Sequence, residues 1–165
     1  MMFGSLKVRV LGDPVLRQKA KPVVSVGPVE RMLIATMFET MQAHKGIGLA
    51  APQVGISEQI FVVDTGKEAF AVFNPKILKS SGNEVMEEGC LSIPEIHVNV
   101  KRATAIEVEF LDEDNHQVRA KLTGLTAKVF QHEFDHLQGK LIIDYLPLAE
   151  QKKILKNERP NTRKK

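Results

Sequence analysis

One cysteine, Cys90, stands in the 165-residue chain, so no internal disulfide holds the fold, and a lone thiol fits a reducing cytoplasm. No stretch approaches the ~20 consecutive apolar residues that a membrane-spanning helix requires. Met1-Met2-Phe3-Gly4-Ser5 is too short for a signal peptide, and no transit peptide is visible. Repeats and linker-like stretches are missing too, so a single domain over residues 1–165 is expected. Apolar residues make up 43% and charged residues 26%, ordinary proportions for a soluble globule with a proper core. The glycine-rich stretch Gly46-Ile47-Gly48-Leu49-Ala50-Ala51-Pro52-Gln53-Val54-Gly55 lacks the Lys-Ser/Thr pair of a phosphate-binding loop. It also follows a helical pattern rather than a strand, which argues against a dinucleotide fingerprint.

What is present is led by His132-Glu133-Phe134-Asp135-His136. On a helix, residues four apart share one face, about 5–6 Å apart at Cβ. Two imidazoles so placed can close on one divalent ion, and the Glu beside the first can serve as base to a water there. Leu125, Lys128/Val129, His132 and His136 form a stripe after Gly124, and Gly139 reads as the helix end. The flanking Phe130, Phe134 and Leu137 are apolar, which suits a buried helix. Charged and imidazole groups on such a helix are costly unless paired or metal-bound.

The third ligand is not in the same stretch. Gly139 matches the glycine of H-E-x-x-H-x-x-G-x-x-H, but Ile142 stands where the third His would be. Downstream carboxylates are Glu150, Glu158 in a charged tail, and Asp144 in a segment that reads as strand or turn. Cys90 is the better candidate. A metal deprotonates a coordinating thiol, and a Cys-His-His set leaves one tetrahedral position open for water. Gly89 beside it permits unusual backbone angles or close approach of another chain. Gln53, polar among small apolar residues, has an amide able to donate to an oxyanion.

Gly46-Ile47-Gly48-Leu49-Ala50-Ala51-Pro52-Gln53, Glu88-Gly89-Cys90-Leu91-Ser92 and Gln131-His132-Glu133-Phe134-Asp135-His136 resemble the three signature motifs of the peptide deformylases, in order and at similar separations. The resemblance runs from about Leu6 to about Leu148. It implies an enzyme that removes the N-formyl group from the initiator methionine of nascent polypeptides. It also implies that Cys90, His132 and His136 hold one divalent metal ion, with water or hydroxide as fourth ligand. That ion would be Fe2+ in the cell, with Zn2+, Ni2+ or Co2+ as alternatives. Hydroxide would attack the formyl carbon with Glu133 as general base and then acid. Gln53 and the backbone N–H of Leu91 would stabilise the oxyanion. Leu125, Val129, Ile47 and Met86 would line a pocket for the methionine side chain. The peptide would lie extended beside Gly89 and the Ile47-Gly48 turn. Lys128 departs from the branched apolar residue of many relatives, although its stem can still line an apolar wall. His97 departs from the Arg of many bacterial relatives and is expected at the cleft mouth.

The remaining elements follow from local pattern. Asp13-Pro14 reads as the start of a short helix through Lys19. Pro28 to His44 reads as a long amphipathic helix with Val29, Met32, Leu33, Met37 and Met41 on its core stripe. Strands are expected at 59–64, 69–73, 98–101, 105–111 and 117–122, with a hairpin turn at Asp112-Glu113-Asp114-Asn115. His116 is expected in solvent, and His44 at a helix C-terminus. The fold class is therefore α+β: mainly antiparallel sheets around a central metal-binding helix, plus the long helix and a C-terminal helix. Net charge is +3 with pI ≈ 9.0, much of the excess lying in the tail. Residues 148–165 read as that C-terminal helix and a basic tail, solvated or in contact with ribosomal RNA. A monomer with no DNA or membrane partner is expected.

Overall fold

The computed structural model describes residues 6–158. Among the described residues there are three α-helices, α1 (Pro28–Ala43), α2 (Gly124–Leu137) and α3 (Leu148–Glu158). The same residues hold seven strands, β1 (Gly48–Ala50), β2 (Ile60–Asp64), β3 (Ala69–Ser81), β4 (Glu84–Cys90), β5 (Ile93–Arg102), β6 (Ala105–Leu111) and β7 (Gln117–Thr123). Five of them form a sheet in the order β1-β2-β3-β6-β7, and β4 and β5 form a separate hairpin. All these pairings are antiparallel, so the α+β architecture stands. Among the described residues no helix is long and apolar enough to cross a membrane.

Strand alternation places the two long helices on opposite faces of the larger sheet. Successive side chains of a strand point to opposite sides. Ile60 and Val62 of β2 join Leu33, Met37 and Met41 of α1 in one cluster. Phe61 and Val63 join Ala127, Val129 and Phe130 of α2 in another. A strand buried on both faces reads as an unbroken apolar run, which is what Ile60-Phe61-Val62-Val63 shows. Phe61 meets Phe130 edge to face, with ring centroids 4.9 Å apart at 84°. Both rings are fully buried. Phe61→Ala is expected to cost ~3–5 kcal/mol of stability, read as a lower urea midpoint at an unchanged denaturant slope. A third cluster seats β5 residues Ile93, Val98 and Val100 on Leu11, Leu16 and the Leu141-Ile142-Ile143 run.

Several local expectations need correction. β3 does not stop at Phe73; it continues through Asn74-Pro75 to Ser81, with a register shift between Phe73 and Lys76. Proline is tolerated at such a bulge because no ladder hydrogen bond is asked of it. Asn74 takes φ 52° there. β1 and β4 lack a strand-like pattern and are held by their partners. The short helix after Asp13 spans only Pro14–Arg17. Of the two readings for Asp144, strand or turn, the turn holds: it lies in the 3₁₀ turn Ile142–Tyr145. Its carboxylate accepts two hydrogen bonds from Arg17, at 2.7 and 3.0 Å, and is no metal ligand. Glu150 is exposed in the first turn of α3. Val29 is 58% exposed and leaves the core stripe of α1 to Leu33, Ile34, Met37 and Met41. The hairpin turn at 112–115 is present, with Asn115 at φ 62° and His116 largely in solvent. The last basic residues of the tail, Arg159 to Lys165, lie outside the described residues.

Candidate metal centre

α2 follows β7 directly. Gly124 makes the corner at φ 60°, a backbone conformation that side-chain-bearing residues avoid. Helical periodicity then stacks His132 and His136 on one face, with ring centroids 5.0 Å apart at 67°. The hairpin delivers the third group. The β4–β5 register shifts between Glu88 and Cys90, and Cys90 Sγ ends 3.4 Å from His136 Nε2. One donor atom from each of Cys90, His132 and His136 lies within 4.8 Å of the others.

Gln53 reaches the same point from the 3₁₀ turn Ala51–Val54. Its Oε1 accepts from Ala50 N at 2.9 Å, which fixes the amide orientation. Its Nε2 then donates to Ser92 Oγ at 3.1 Å and faces Cys90 Sγ at 3.6 Å. Glu133 is buried. Its Oε1 has no hydrogen-bond partner and its Oε2 lies 3.9 Å from His132 Nε2. Gly48 makes room for this carboxylate, since a Cβ there would fall 2.5 Å from Glu133 Oε2.

Burial is the largest single influence on the titration of the groups at this point. Burial pushes the Glu133 carboxyl up to about 7, against the pull of His132. Burial opposes charge on His132, but Glu133, Cys90 and Glu88 around it raise its pKa well above the ordinary value. Burial, aided by His132, drives His136 well below its ordinary value and keeps it neutral. Two imidazoles, a thiol and an unpaired carboxylate oxygen in one buried spot suit a borderline divalent ion such as zinc, iron, nickel or cobalt. The residues present therefore fit a metal.

The support behind these groups was not legible in the sequence. Glu88 accepts from Arg102 through both oxygens, at 2.7 and 2.8 Å, and its Oε1 lies 2.9 Å from His132 Nδ1. Burial alone would raise the Glu88 pKa; the hydrogen bonds from Arg102 and His132 instead hold it at about 2. Asp135 Oδ2 accepts from Arg102 at 2.7 Å and from Tyr145 Oη at 2.6 Å. Glu88 and Arg102 lie on the two strands of the hairpin but are not opposite each other, since Arg102 pairs with Glu84 and Glu88 with Val98, so only the reach of the long Arg102 side chain joins them. Ser92, the last residue of the Glu88–Ser92 motif, shows its role only through its contact with Gln53.

A cleft of about 570 Å³ opens beside the centre. Ile47, Gly48, Met86, Gly89, Leu91 and Val129 line it. His97 lies on the same wall, against Gly89. Leu125 does not line the cleft and is 44% exposed. It sits in the first turn of α2, and helical side chains lean toward the N-terminus, so Leu125 points away from the groups one and two turns farther on.

A sheet-and-helix fold that gathers a thiol, two imidazoles and a carboxyl group with one unpartnered oxygen at the wall of a cleft has the makings of a metallohydrolase. Residues 5–152 match the family described as polypeptide deformylase. A curated peptide deformylase of Thermotoga neapolitana is 50% identical over 144 residues, covering 87% of this chain and 88% of the relative. The crystal structure of a peptide deformylase from Legionella pneumophila is 36% identical, covers 98% of this chain and 99% of that one, and superposes with a TM-score of 0.87. That of Synechococcus elongatus in complex with actinonin is 40% identical, with coverages of 95% and 87% and a TM-score of 0.86. The chain belongs to the polypeptide deformylase family.

Proposed function

We propose that this protein removes the N-formyl group from the N-terminal formyl-methionine of newly synthesised polypeptides, releasing formate. The observation that carries the reading is the convergence of Cys90, His132 and His136 donors within 4.8 Å of one another, beside the unpartnered Glu133 Oε1. Cys90, His132 and His136 would hold one divalent ion, Fe2+ in the cell, with Zn2+, Ni2+ or Co2+ able to replace it. When bound, such an ion supplies Lewis acidity to the formyl carbonyl and lowers the pKa of water.

The chain's own groups divide the remaining work. Glu133 takes a proton from the attacking water, whose oxygen joins the formyl carbon. Gln53 Nε2 and the backbone N–H of Leu91 donate to the oxygen that becomes negative. Glu133 then returns the proton to the amine as the C–N bond breaks, leaving formate and a free N-terminus. Glu88 accepts from His132 Nδ1 and so keeps Nε2 toward the centre, with Arg102 neutralising its charge. Ile47, Met86 and Val129 receive the methionine side chain, while Gly48 and Gly89 leave room for extended peptide backbone.

The whole chain acts, in this reading, as one cytoplasmic catalytic domain, monomeric, with no DNA or membrane partner. The basic tail is proposed to stay solvated, with contact to ribosomal RNA as the alternative, which a salt-sensitive ribosome-binding assay would reveal.

A formyl-methionyl dipeptide and its acetyl twin test the reaction. The formyl compound is expected to be hydrolysed and the acetyl compound to resist. A strong chelator should abolish hydrolysis and a divalent metal should restore it. Activity surviving chelation with no metal left on the protein would refute the assignment of Cys90 as a ligand and point to a cysteine nucleophile.

A further inference from the structure

Lys128 sits one turn before His132 on α2 and lines the cleft. Its side chain is only 12% exposed. A charge on a side chain covered along most of its length calls for a counter-charge. Glu84, at the start of β4 and 60% exposed, supplies it through an ion pair and hydrogen bond from Nζ to Oε1. An ammonium has three N–H donors, and among the described residues Glu84 is the one hydrogen-bond acceptor that Lys128 meets. The same wall is otherwise apolar at Met86 and Val129. The cleft wall therefore carries, beside apolar residues, a lysine whose ammonium is paired with a carboxylate that does not itself line the cleft.

We propose that Lys128, held by Glu84, is a specificity-determining residue that extends the substrate range to side chains of methionine length ending in a neutral hydrogen-bond acceptor, with methionine sulfoxide as the natural member. This rests on the deformylase reading above. A thioether accepts hydrogen bonds weakly and packs on the Lys128 stem. Oxidation turns it into a polar group that an all-apolar pocket would leave without a partner. The Lys128 ammonium offers that oxygen a charge-assisted hydrogen bond. The sulfoxide itself is untouched; water still adds to the formyl carbon and the C–N bond still breaks. Glu84 keeps the site from favouring carboxylate-ended side chains, since its own negative charge stands beside the donor.

The test compares kcat/KM for three tripeptides that differ only at the first residue: formyl-methionine, formyl-methionine sulfoxide and formyl-glutamate. The metal-loaded full chain is used, wild type and two variants. Wild type is expected to hydrolyse the sulfoxide within about tenfold of the thioether. Lys128→Met should lower the sulfoxide-to-thioether ratio by roughly tenfold or more, the range of a hydrogen bond to a charged group. Glu84→Gln should raise the glutamate-to-methionine ratio by roughly tenfold or more, because the ammonium is then left with full charge. Ratios cancel differences in folding and metal content. The exposed position of Glu84 keeps the second variant usable if the first folds poorly. Either ratio staying within about twofold of wild type overturns the proposal and leaves the pair a surface ion pair. Wild type inert toward formyl-methionine would instead bring down the deformylase reading itself, and this inference with it.

Discussion

Glu133→Gln is expected to lower kcat/KM toward formyl-methionyl peptides by roughly 10²–10⁴, the usual worth of a positioned general base. Gln keeps the shape and hydrogen-bonding reach of the side chain but takes up no proton. It also leaves Cys90, His132 and His136 in place, so metal content should stay near one per chain. The position makes the effect large. Glu133 Oε1 is buried with no hydrogen-bond partner, so this oxygen is free to accept a proton from a reacting molecule. Gly48 lets that molecule approach, because any Cβ there would occupy the space beside the carboxylate. Steady-state kinetics with metal analysis on the same samples check the prediction. Retained turnover at full metal content would refute the role given to Glu133.

Arg102→Leu is expected to destabilise the fold as much as any single change, on a par with Phe61→Ala. Arg102 makes four side-chain contacts with buried or half-buried groups: two with Glu88, one with Asp135 and one with Tyr145. Removing one partner of a buried ion pair typically costs ~3–5 kcal/mol, because the other charge stays buried without compensation. The pH dependence should change with it. In the native protein Glu88 has its pKa lowered to about 2, so its contribution is fully present above its unfolded value of 4.5 and is lost as pH falls from there through 2. Without Arg102 burial dominates, and the Glu88 pKa moves up. The variant's deficit should therefore be larger at pH 7 than at pH 4. Urea midpoints for both proteins at the two pH values decide the matter. A deficit independent of pH would mean that lost packing, not the stranded carboxylate, sets the cost.

Both experiments concern groups that differ in how visible they were beforehand. Glu133 stands inside a five-residue pattern whose meaning is local: once the stretch is helical, His132 and His136 must share a face. The unbroken apolar run at 60–63 is equally local, since two-sided burial leaves no polar positions. The turn at 112–115 follows from its own residues. Arg102 has no such signature, and the motif that contains Glu88 and Ser92 shows nothing of what their side chains hold. Their importance comes from β4 pairing with β5 and from α2 lying against that hairpin. The exclusion of Leu125 from the cleft was hidden for a related reason. A helical stripe shows which residues share a face but not where along it the cleft ends.

By itself the chain determined those parts that depend on neighbours a few residues apart: the helix with its two imidazoles, the strand alternation and the glycine corners. These follow from fixed backbone periods of 3.6 and 2 residues. Folding in three dimensions decided what no period encodes. It brought Cys90 within 3.4 Å of His136 across 46 residues of sequence, turned the Gln53 amide toward Ser92 and Cys90, and set Glu84 on Lys128. Such meetings arise because sheet pairing and burial act between distant segments, and the cost of leaving a charge uncompensated appears only when the chain has closed around it.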